Sequence, residues 1–437
     1  MSRAFRLAAG LLALALASAP AEGATAKRQA SRAPAKSRKQ APSGPTPILG
    51  SPAALAAFRD ALDALRRAGP GAEPFVVRVL HFGDSHVAAD YWSGELRRLF
   101  QERFGDAGPG QVMPGRPWKY FRHARARSLP STGWETAGLG EGLKDGIYGL
   151  SGVGLVPLQS PSPAVLEATF RSATVEFASL AEGACLAVTV DGDTLFAGSP
   201  EDSETALCAE VDVDESGELP VRIVAVGTRE PLPESPHRLE VADACGGSVR
   251  LLGVDLVSGR SGVLWDSLGI NGAEIGALSR WEPRTRRALL DRAAPDLIVV
   301  SYGTNDMGRG DLDPDAYTAE VEAALRSLRE DAPYASVLVT GPFDRAGKSR
   351  RVRRLLATTE RLVGRAIREA ALATGCAYWD AKAAMGGEGA IVRWARRGLA
   401  QRDYVHLTAA GYRRMAELLS ERLLAAVERE RAGRGGS

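Results

Sequence analysis

The sequence predicts an α/β fold: a doubly wound parallel sheet into which an all-β sandwich module is inserted. Strands and helices alternate from about residue 263 onward, as in a parallel sheet with crossover helices. The run Leu297–Val300 is apolar on both faces, which is typical of a central parallel strand. Between 160 and 257, helical periodicity nearly disappears, and short apolar runs are separated by Gly, Asp, Ser and Pro residues.

The α/β part begins with apolar residues spaced three and four apart over 52–67, which indicates a helix. An apolar strand over 75–82 and a helix over about 87–104 follow. Four more strands are predicted further along the chain, at 263–268, 296–301, 336–341 and 376–379. Four helices are predicted among and after them, at 281–293, 314–328, 352–374 and 409–427.

The predicted β-module occupies residues 160–257, between the first and second strands of the parallel sheet. Its strand-like runs include 174–177, 185–190 and 221–226, and Asp191-Gly192 is a hairpin turn signal. The α/β domain is therefore predicted in two pieces, 51–159 and 258–431, followed by a short tail, 432–437.

The N-terminus has the pattern of an export signal over residues 1–26. A short positive region precedes the apolar run Leu7–Ala17, and small residues that fit cleavage end at Ala19 and at Ala26. The apolar run is shorter than the ~20 residues of a spanning helix, so an uncleaved anchor is the weaker alternative. Residues 27–50 are rich in Ala, Pro, Ser and basic residues and are predicted to be a disordered linker. We expect a periplasmic or extracellular protein without stable membrane insertion.

Composition limits the partners and cofactors. The 437 residues are 45% hydrophobic and 25% charged, with a net charge of +2 that gives no reason to expect nucleic acid. No Cys/His spacing predicts a metal site. The segment 341–349 resembles a phosphate loop but has five residues between its glycines where four are required. No cofactor is predicted, and the oligomeric state stays open.

Four cysteines are present, and an exported protein can form disulfides. Cys185, Cys208 and Cys245 lie in one segment, which allows at most one bridge among them, with its pairing open. Cys376 lies in an apolar strand-like run and is predicted to be a buried free thiol.

Polar groups follow three of the predicted parallel strands, whose carboxyl ends share one edge of the sheet. Ser85 follows the first strand, a glycine-containing loop (268–273) the second, and Asn305 the third. Far downstream, Asp403 and His406 supply a carboxylate and an imidazole three residues apart. A serine hydroxyl becomes nucleophilic when an oriented imidazole takes its proton, so these residues predict a Ser-His-Asp triad. The Ser85 N–H, a glycine N–H of the second loop and the Asn305 amide could stabilise an oxyanion.

The chain resembles the SGNH/GDSL hydrolase superfamily, whose four sequence blocks carry Ser, Gly, Asn and His. The matching residues here are, in order, Ser85, Gly272, Asn305 and the pair Asp403 and His406. Gly272 is preferred to Gly269 for the second block because it follows a small polar residue, Asn271. The usual Gly-Asp-Ser-Leu has become Gly-Asp-Ser-His, so His86 departs from the common form.

This variant, together with the inserted β-module, is similar to the peptidoglycan O-acetylesterase branch, whose members carry a carbohydrate-binding-like β-sandwich at this position. The resemblance implies a flavodoxin-like α/β domain in an exported serine esterase. It also implies an acetylated glycan as substrate, with peptidoglycan favoured. An O-acetyltransferase that uses the same triad is an alternative, since it differs only in what resolves the acyl-enzyme. A non-catalytic glycan-binding protein is a second alternative, against which the intact triad argues.

Overall fold

The computed structural model describes most of the chain after the N-terminal segment, namely residues 46–69, 73–140, 142–158, 162–180, 185–198, 207–211, 221–244, 249–310, 312–347 and 349–434. The predicted signal, most of the predicted linker and the last three residues lie outside the described residues. None of the helices in these ranges has both the length and the apolar character needed to cross a membrane.

The first part of the α/β domain contains two strands and three helices: β1 (Ile48–Leu49), α1 (Ala56–Arg67), β2 (Val76–Gly83), α2 (Ser85–Ala88) and α3 (Trp92–Phe104). A 3₁₀ turn, Pro52–Leu55, leads into α1. β1 pairs with Tyr378 and Trp379, so ordered chain begins before the predicted linker boundary at 50. The single helix predicted over 87–104 is two helices, because the chain turns at Asp90, whose φ is +52°.

The β-module contains twelve described strands: β3 (Gly110–Val112), β4 (Ala126–Ser128), β5 (Trp134–Gly138), β6 (Val153–Pro157), β7 (Ala164–Phe170), β8 (Ser172–Ser179), β9 (Leu186–Val190), β10 (Asp193–Gly198), β11 (Leu207–Val211), β12 (Val221–Gly227), β13 (Ser235–Asp243) and β14 (Val249–Val257). They form a five-stranded sheet, β10-β9-β13-β7-β4, and a seven-stranded sheet, β11-β12-β8-β14-β6-β5 with β3 beside β14. Apolar side chains of both sheets share one core, as the prediction of a sandwich requires.

The predicted start of this module at 160 is wrong, because β3 to β6 already pair with its strands. The module begins near residue 110. These strands are short and lie among glycines and prolines, so they lack the sustained alternation that marks a strand in sequence.

The second part of the α/β domain alternates as predicted: β15 (Gly262–Gly269), α4 (Pro283–Ala293), β16 (Leu297–Ser301), α5 (Pro314–Asp331), β17 (Ser336–Thr340), α6 (Arg350–Ala373), β18 (Ala377–Trp379), α7 (Ala381–Met385), α8 (Ala390–Arg396) and α9 (Ala409–Arg434). Glu282 and Asp313 cap α4 and α5, each followed by a proline that cannot donate and therefore suits the first helical position. α9 runs three residues into the predicted tail. The helices α7 and α8 were not predicted.

The parallel strands lie in the order β15-β2-β16-β17-β18, with β1 antiparallel at the far edge. In chain order this is 2-1-3-4-5, which confirms the flavodoxin-like doubly wound sheet. The module is inserted between two neighbouring strands, since β2 and β15 pair in register from Val76 with Gly262 to Gly83 with Gly269. Gly83, Gly269 and Ser301 therefore end three adjacent strands at one edge.

Both faces of this sheet are covered, which makes its edge a rigid support. Along β2, Leu80 and Phe82 pack on the side of α4, α5 and α6, whereas Val77 and Val79 pack on the side of α1, α3 and α9. Complete burial of such a side chain contributes about 1.5–3 kcal/mol. Cys376 is buried and free, as predicted, and Cys185 is disulfide-bonded.

Candidate active site

Ser85 begins α2 directly after β2 ends, in a turn that only glycine allows. A Cβ on Gly83 would lie 2.4 Å from Val87 Cγ2 and 2.8 Å from the Ser301 carbonyl oxygen. Oδ1 of Asp84 accepts a hydrogen bond from the His86 N–H at 2.9 Å and thereby caps α2. Strand, glycine and cap together place the Ser85 hydroxyl above the sheet edge.

The structure brings Ser85, His406 and Asp403 into one chain of hydrogen bonds. The Ser85 Oγ lies 2.9 Å from His406 Nε2, and His406 Nδ1 lies 2.7 Å from Asp403 Oδ2. A carboxylate can only accept, so Nδ1 carries the imidazole proton and Nε2 is left to accept from the Ser85 hydroxyl. Ser85 and His406 are separated by 321 positions in the chain.

The loop before α9 holds Asp403 in its ionised form. Oδ1 of Asp403 accepts from the N–H groups of Val405 and His406, at 2.9 and 3.0 Å. Partial burial works to raise the pKa of Asp403, but these bonds and the His406 imidazole outweigh it, so the pKa lies below its usual range. Tyr404 has a φ of +59°, which folds the loop back so that residues 403 and 406 meet. The carboxylate is thus available to orient the imidazole.

The two other predicted site residues lie in neighbouring loops that contact each other. Asn305 Nδ2 donates to the Ala273 carbonyl at 2.8 Å and links the loop after β16 to the loop after β15. Gly272 has a φ of +76° and open space where a Cβ would stand. Gly269, by contrast, packs against α2, since its Cβ would lie 2.1 Å from the Ala88 nitrogen. This packing explains Gly269 structurally and leaves Gly272 as the candidate oxyanion donor of that loop.

Buried carboxyl groups tie these loops together beneath the site. Asp306 Oδ1 accepts from the Tyr317 hydroxyl at 2.8 Å and from the Ile275 N–H at 3.2 Å. Burial raises the pKa of Asp306, and it raises the pKa of Asp84 to about 7. Asp84 caps the turn that carries Ser85.

His86 had no predicted role, and the sequence offered no signal for its partner. Its Nδ1 lies 2.9 Å from the Tyr412 hydroxyl, and its ring centroid lies 5.5 Å from that of His406 and 4.6 Å from that of Phe343. Burial lowers the pKa of His86 to about 3, so the ring stays neutral. The His86 ring is thus an uncharged neighbour of the His406 imidazole.

Within the described residues, no group of three or more His, Cys, Asp or Glu side chains is arranged to hold a metal ion. Ser85, His406 and Asp403 are arranged at the sheet edge as a serine nucleophile, its base and an orienting carboxylate would be.

A comparison with models of known protein families indicates which class of protein this is. Residues 241–414 match the GDSL-like lipase/acylhydrolase family model. Gly272, Asn305, Asp403 and His406 lie inside this range, whereas Ser85 precedes it because the β-module separates the first strand from the second. The second part of the α/β domain thus matches the GDSL-like lipase/acylhydrolase family, and the fold around it agrees with the SGNH-type esterase that the sequence predicts.

The chain is similar to several solved structures. One is a peptidoglycan O-acetylesterase, 24% identical over 88% of this chain and 99% of that one, with a TM-score of 0.69. This likeness covers the β-module as well as the α/β domain and establishes the shared fold. An acetyl xylan esterase from Geobacillus stearothermophilus is 25% identical over 38% of this chain and 73% of that one, with a TM-score of 0.28. A family two carbohydrate esterase from Cellvibrio japonicus is 13% identical over 73% of this chain and 98% of that one, with a TM-score of 0.28. No curated protein sequence matches significantly.

Proposed function

We propose that the protein is an exported serine esterase that removes O-acetyl groups from a cell-wall glycan, peptidoglycan being favoured. The observation that carries the proposal is the hydrogen-bond chain from Ser85 Oγ through His406 to Asp403, at 2.9 and 2.7 Å. A serine hydroxyl in contact with an oriented imidazole is the arrangement that covalent ester cleavage requires.

In the proposed mechanism, Ser85 Oγ attacks the acetyl carbonyl carbon while His406 Nε2 takes the hydroxyl proton. Asp403 stabilises the imidazolium that forms. The Ser85 N–H, the Gly272 N–H and the Asn305 amide donate to the oxyanion. His406 then returns the proton to the departing sugar oxygen, and the acetyl group stays on Ser85. A water molecule, activated by the same imidazole, releases acetate and restores the serine.

Two observations support the substrate and the compartment. The similar peptidoglycan O-acetylesterase shares both domains with this chain, including the β-module. The disulfide at Cys185 is typical of an oxidising compartment, which agrees with the export signal predicted at the N-terminus.

The test compares the wild type with Ser85→Ala and with a control, Ser131→Ala, whose hydroxyl bonds to the Pro163 carbonyl in the β-module. Release of p-nitrophenol from its acetate and of acetate from O-acetylated peptidoglycan are measured. We expect Ser85→Ala to abolish both reactions and Ser131→Ala to retain both.

Full activity in Ser85→Ala would exclude this serine as nucleophile. If the wild type cleaves the nitrophenyl ester but releases no acetate from peptidoglycan, peptidoglycan is rejected as the substrate. Acetyl transfer to a chitooligosaccharide, followed by mass, would identify the alternative transferase.

A further inference from the structure

A basic loop of the β-module, residues 116–122, lies outside the predicted site. Exposed cations recur at every third position in it, at Arg116, Lys119 and Arg122. Arg125, three residues later, lies 2.6 Å from Asp106, but none of the first three has a carboxylate within 4 Å among the described residues. For a protein of net charge +2, this is a local excess of positive charge.

Hydrogen bonds hold the end of this loop against the residues that follow α2. The Ala124 N–H donates to Asp90 Oδ2 at 2.7 Å, and the same oxygen forms a buried ion pair with Arg97 at 2.8 Å. Arg122 Nη1 donates to the Ala89 carbonyl at 3.2 Å. Ala89 follows the last residue of α2, which begins at Ser85, so four helical residues, ~6 Å of rise, separate this anchor from the nucleophile.

Stacked rings orient the Arg122 guanidinium. Its Cζ lies 4.3 Å from the centroid of the Tyr91 ring, and Tyr91 in turn stacks on Tyr412, with centroids 6.1 Å apart and ring planes at 5°. Such a cation–π contact fixes the plane of the guanidinium. Among the described residues, only one of its nitrogens bonds to the protein, so the remaining N–H groups of this exposed side chain are available to donate to a ligand.

Arg122 lines an open groove of about 800 Å³ that runs along α3 to the start of α9. Every other arginine of the groove lies within 4 Å of a carboxylate: Arg97 of Asp90, Arg98 of Glu95 and Glu102, Arg125 of Asp106, and Arg413 of Glu95. Arg122 is therefore the groove's one guanidinium, among the described residues, that a ligand can pair without breaking an existing ion pair.

We propose that Arg122 determines specificity by binding a carboxylate of the acetylated glycan while the acetyl ester lies at Ser85. The inference rests on the proposed function and narrows its substrate to acetylated glycans that carry a carboxylate close to the ester. A planar guanidinium binds a carboxylate through two parallel hydrogen bonds, which favours it over a neutral amide at the same place. Tyr91 is a positioning residue that holds the guanidinium in its plane.

The experiment uses O-acetylated peptidoglycan fragments with free carboxylates, and the same fragments after their carboxylates are converted to amides. The ratio of kcat/KM for the two is the readout. We expect the wild type to prefer the free carboxylates about tenfold, as a charge-assisted hydrogen bond implies. Arg122→Gln should bring the ratio close to one. Arg98→Gln is the matched control, because Arg98 lies in the same groove but is already paired with carboxylates. This variant should keep the wild-type ratio of kcat/KM for the two fragments.

Two further variants test the positioning role. Tyr91→Leu should lower the preference, whereas Tyr91→Phe keeps the ring and should keep the preference. Equal hydrolysis of both fragments by the wild type would overturn the inference while the esterase function stands. Equal loss of preference in Arg122→Gln and Arg98→Gln would also overturn it, since the effect would then be net charge alone. A wild type that releases acetate from neither fragment would refute the proposed function itself.

Discussion

The Tyr412 hydroxyl lies 2.9 Å from Nδ1 of His86, whose ring centroid lies 5.5 Å from that of His406. Since burial lowers the pKa of His86 to about 3, this ring carries no charge at neutral pH. In the proposed mechanism, a positively charged neighbour would oppose the imidazolium that forms on His406. The hydrogen bond between Tyr412 and His86 therefore fixes an uncharged ring next to His406.

Tyr412→Phe should lower the free energy of unfolding by about 1–3 kcal/mol, because it leaves the buried Nδ1 of His86 without a partner. Denaturant unfolding measures this loss. Tyr334→Phe is the control: its hydroxyl bonds to the Leu290 carbonyl at 2.9 Å, but the side chain is 43% exposed and water can replace the bond. Equal losses in the two variants would contradict the importance of the buried bond.

Asn305→Ala should lower kcat about 10²–10³-fold, as expected when one oxyanion donor is removed. KM should change little, because the bond to the oxyanion strengthens only in the transition state. Steady-state kinetics on p-nitrophenyl acetate provide the measurement, and Asn271→Ala, at an exposed position in the neighbouring loop, is the control. A loss of less than about threefold would exclude Asn305 from the oxyanion hole.

Gly83→Ala should impair both folding and activity. The added methyl group would overlap Val87 and the Ser301 carbonyl, so the turn that carries Ser85 must shift. Overpacking of this kind costs about 1–3 kcal/mol. Gly308→Ala, which meets no atom within 4 Å and needs no positive φ, should be near neutral. Thermal unfolding and esterase rates of the two variants are compared, and similar behaviour would show that the turn tolerates a side chain.

Buried histidines should make the protein less stable in acid. Burial lowers the pKa of His81, His86 and His123 to about 3, against about 6.5 in an unfolded chain. Between these values the unfolded state binds more protons at each of these histidines, so the stability that they contribute is complete above pH 6.5 and is lost as the pH falls toward 3. Removing one histidine by His123→Gln should reduce the slope of unfolding free energy against pH by about 1.4 kcal/mol per unit between pH 4 and 6. Unfolding curves across that range measure the slope, and an unchanged slope would refute the assignment.

The α/β domain could be predicted closely because its signals are local. A central strand such as β16 is buried on both faces and must be apolar throughout, and helices such as α4 and α5 begin at an acidic cap followed by proline. The β-module was harder to delimit, since the strands between 110 and 157 owe their pairing to distant partners: β3 pairs with β14, and β4 with β7.

The residues of the candidate site also fall into two groups: those that the sequence predicted and those that only the structure revealed. Ser85, Gly272, Asn305, Asp403 and His406 were found from the residues that follow the strands and from their resemblance to a known family, and their catalytic roles stay predictions. His86, Tyr412, Tyr91 and Arg122 gave no such signal, because none forms a motif with its sequence neighbours.

By itself the sequence determined which side chains stand at the ends of the parallel strands, because alternating burial and turn chemistry are properties of neighbouring residues. The tertiary structure decided what those side chains meet. The contact between His86 and Tyr412 spans 326 positions, and the hydrogen bond from Arg122 to Ala89 joins the β-module to the end of the helix that begins at Ser85. Contacts of this range depend on strand order and on how the module packs against the α/β domain, and no local pattern of residues encodes either.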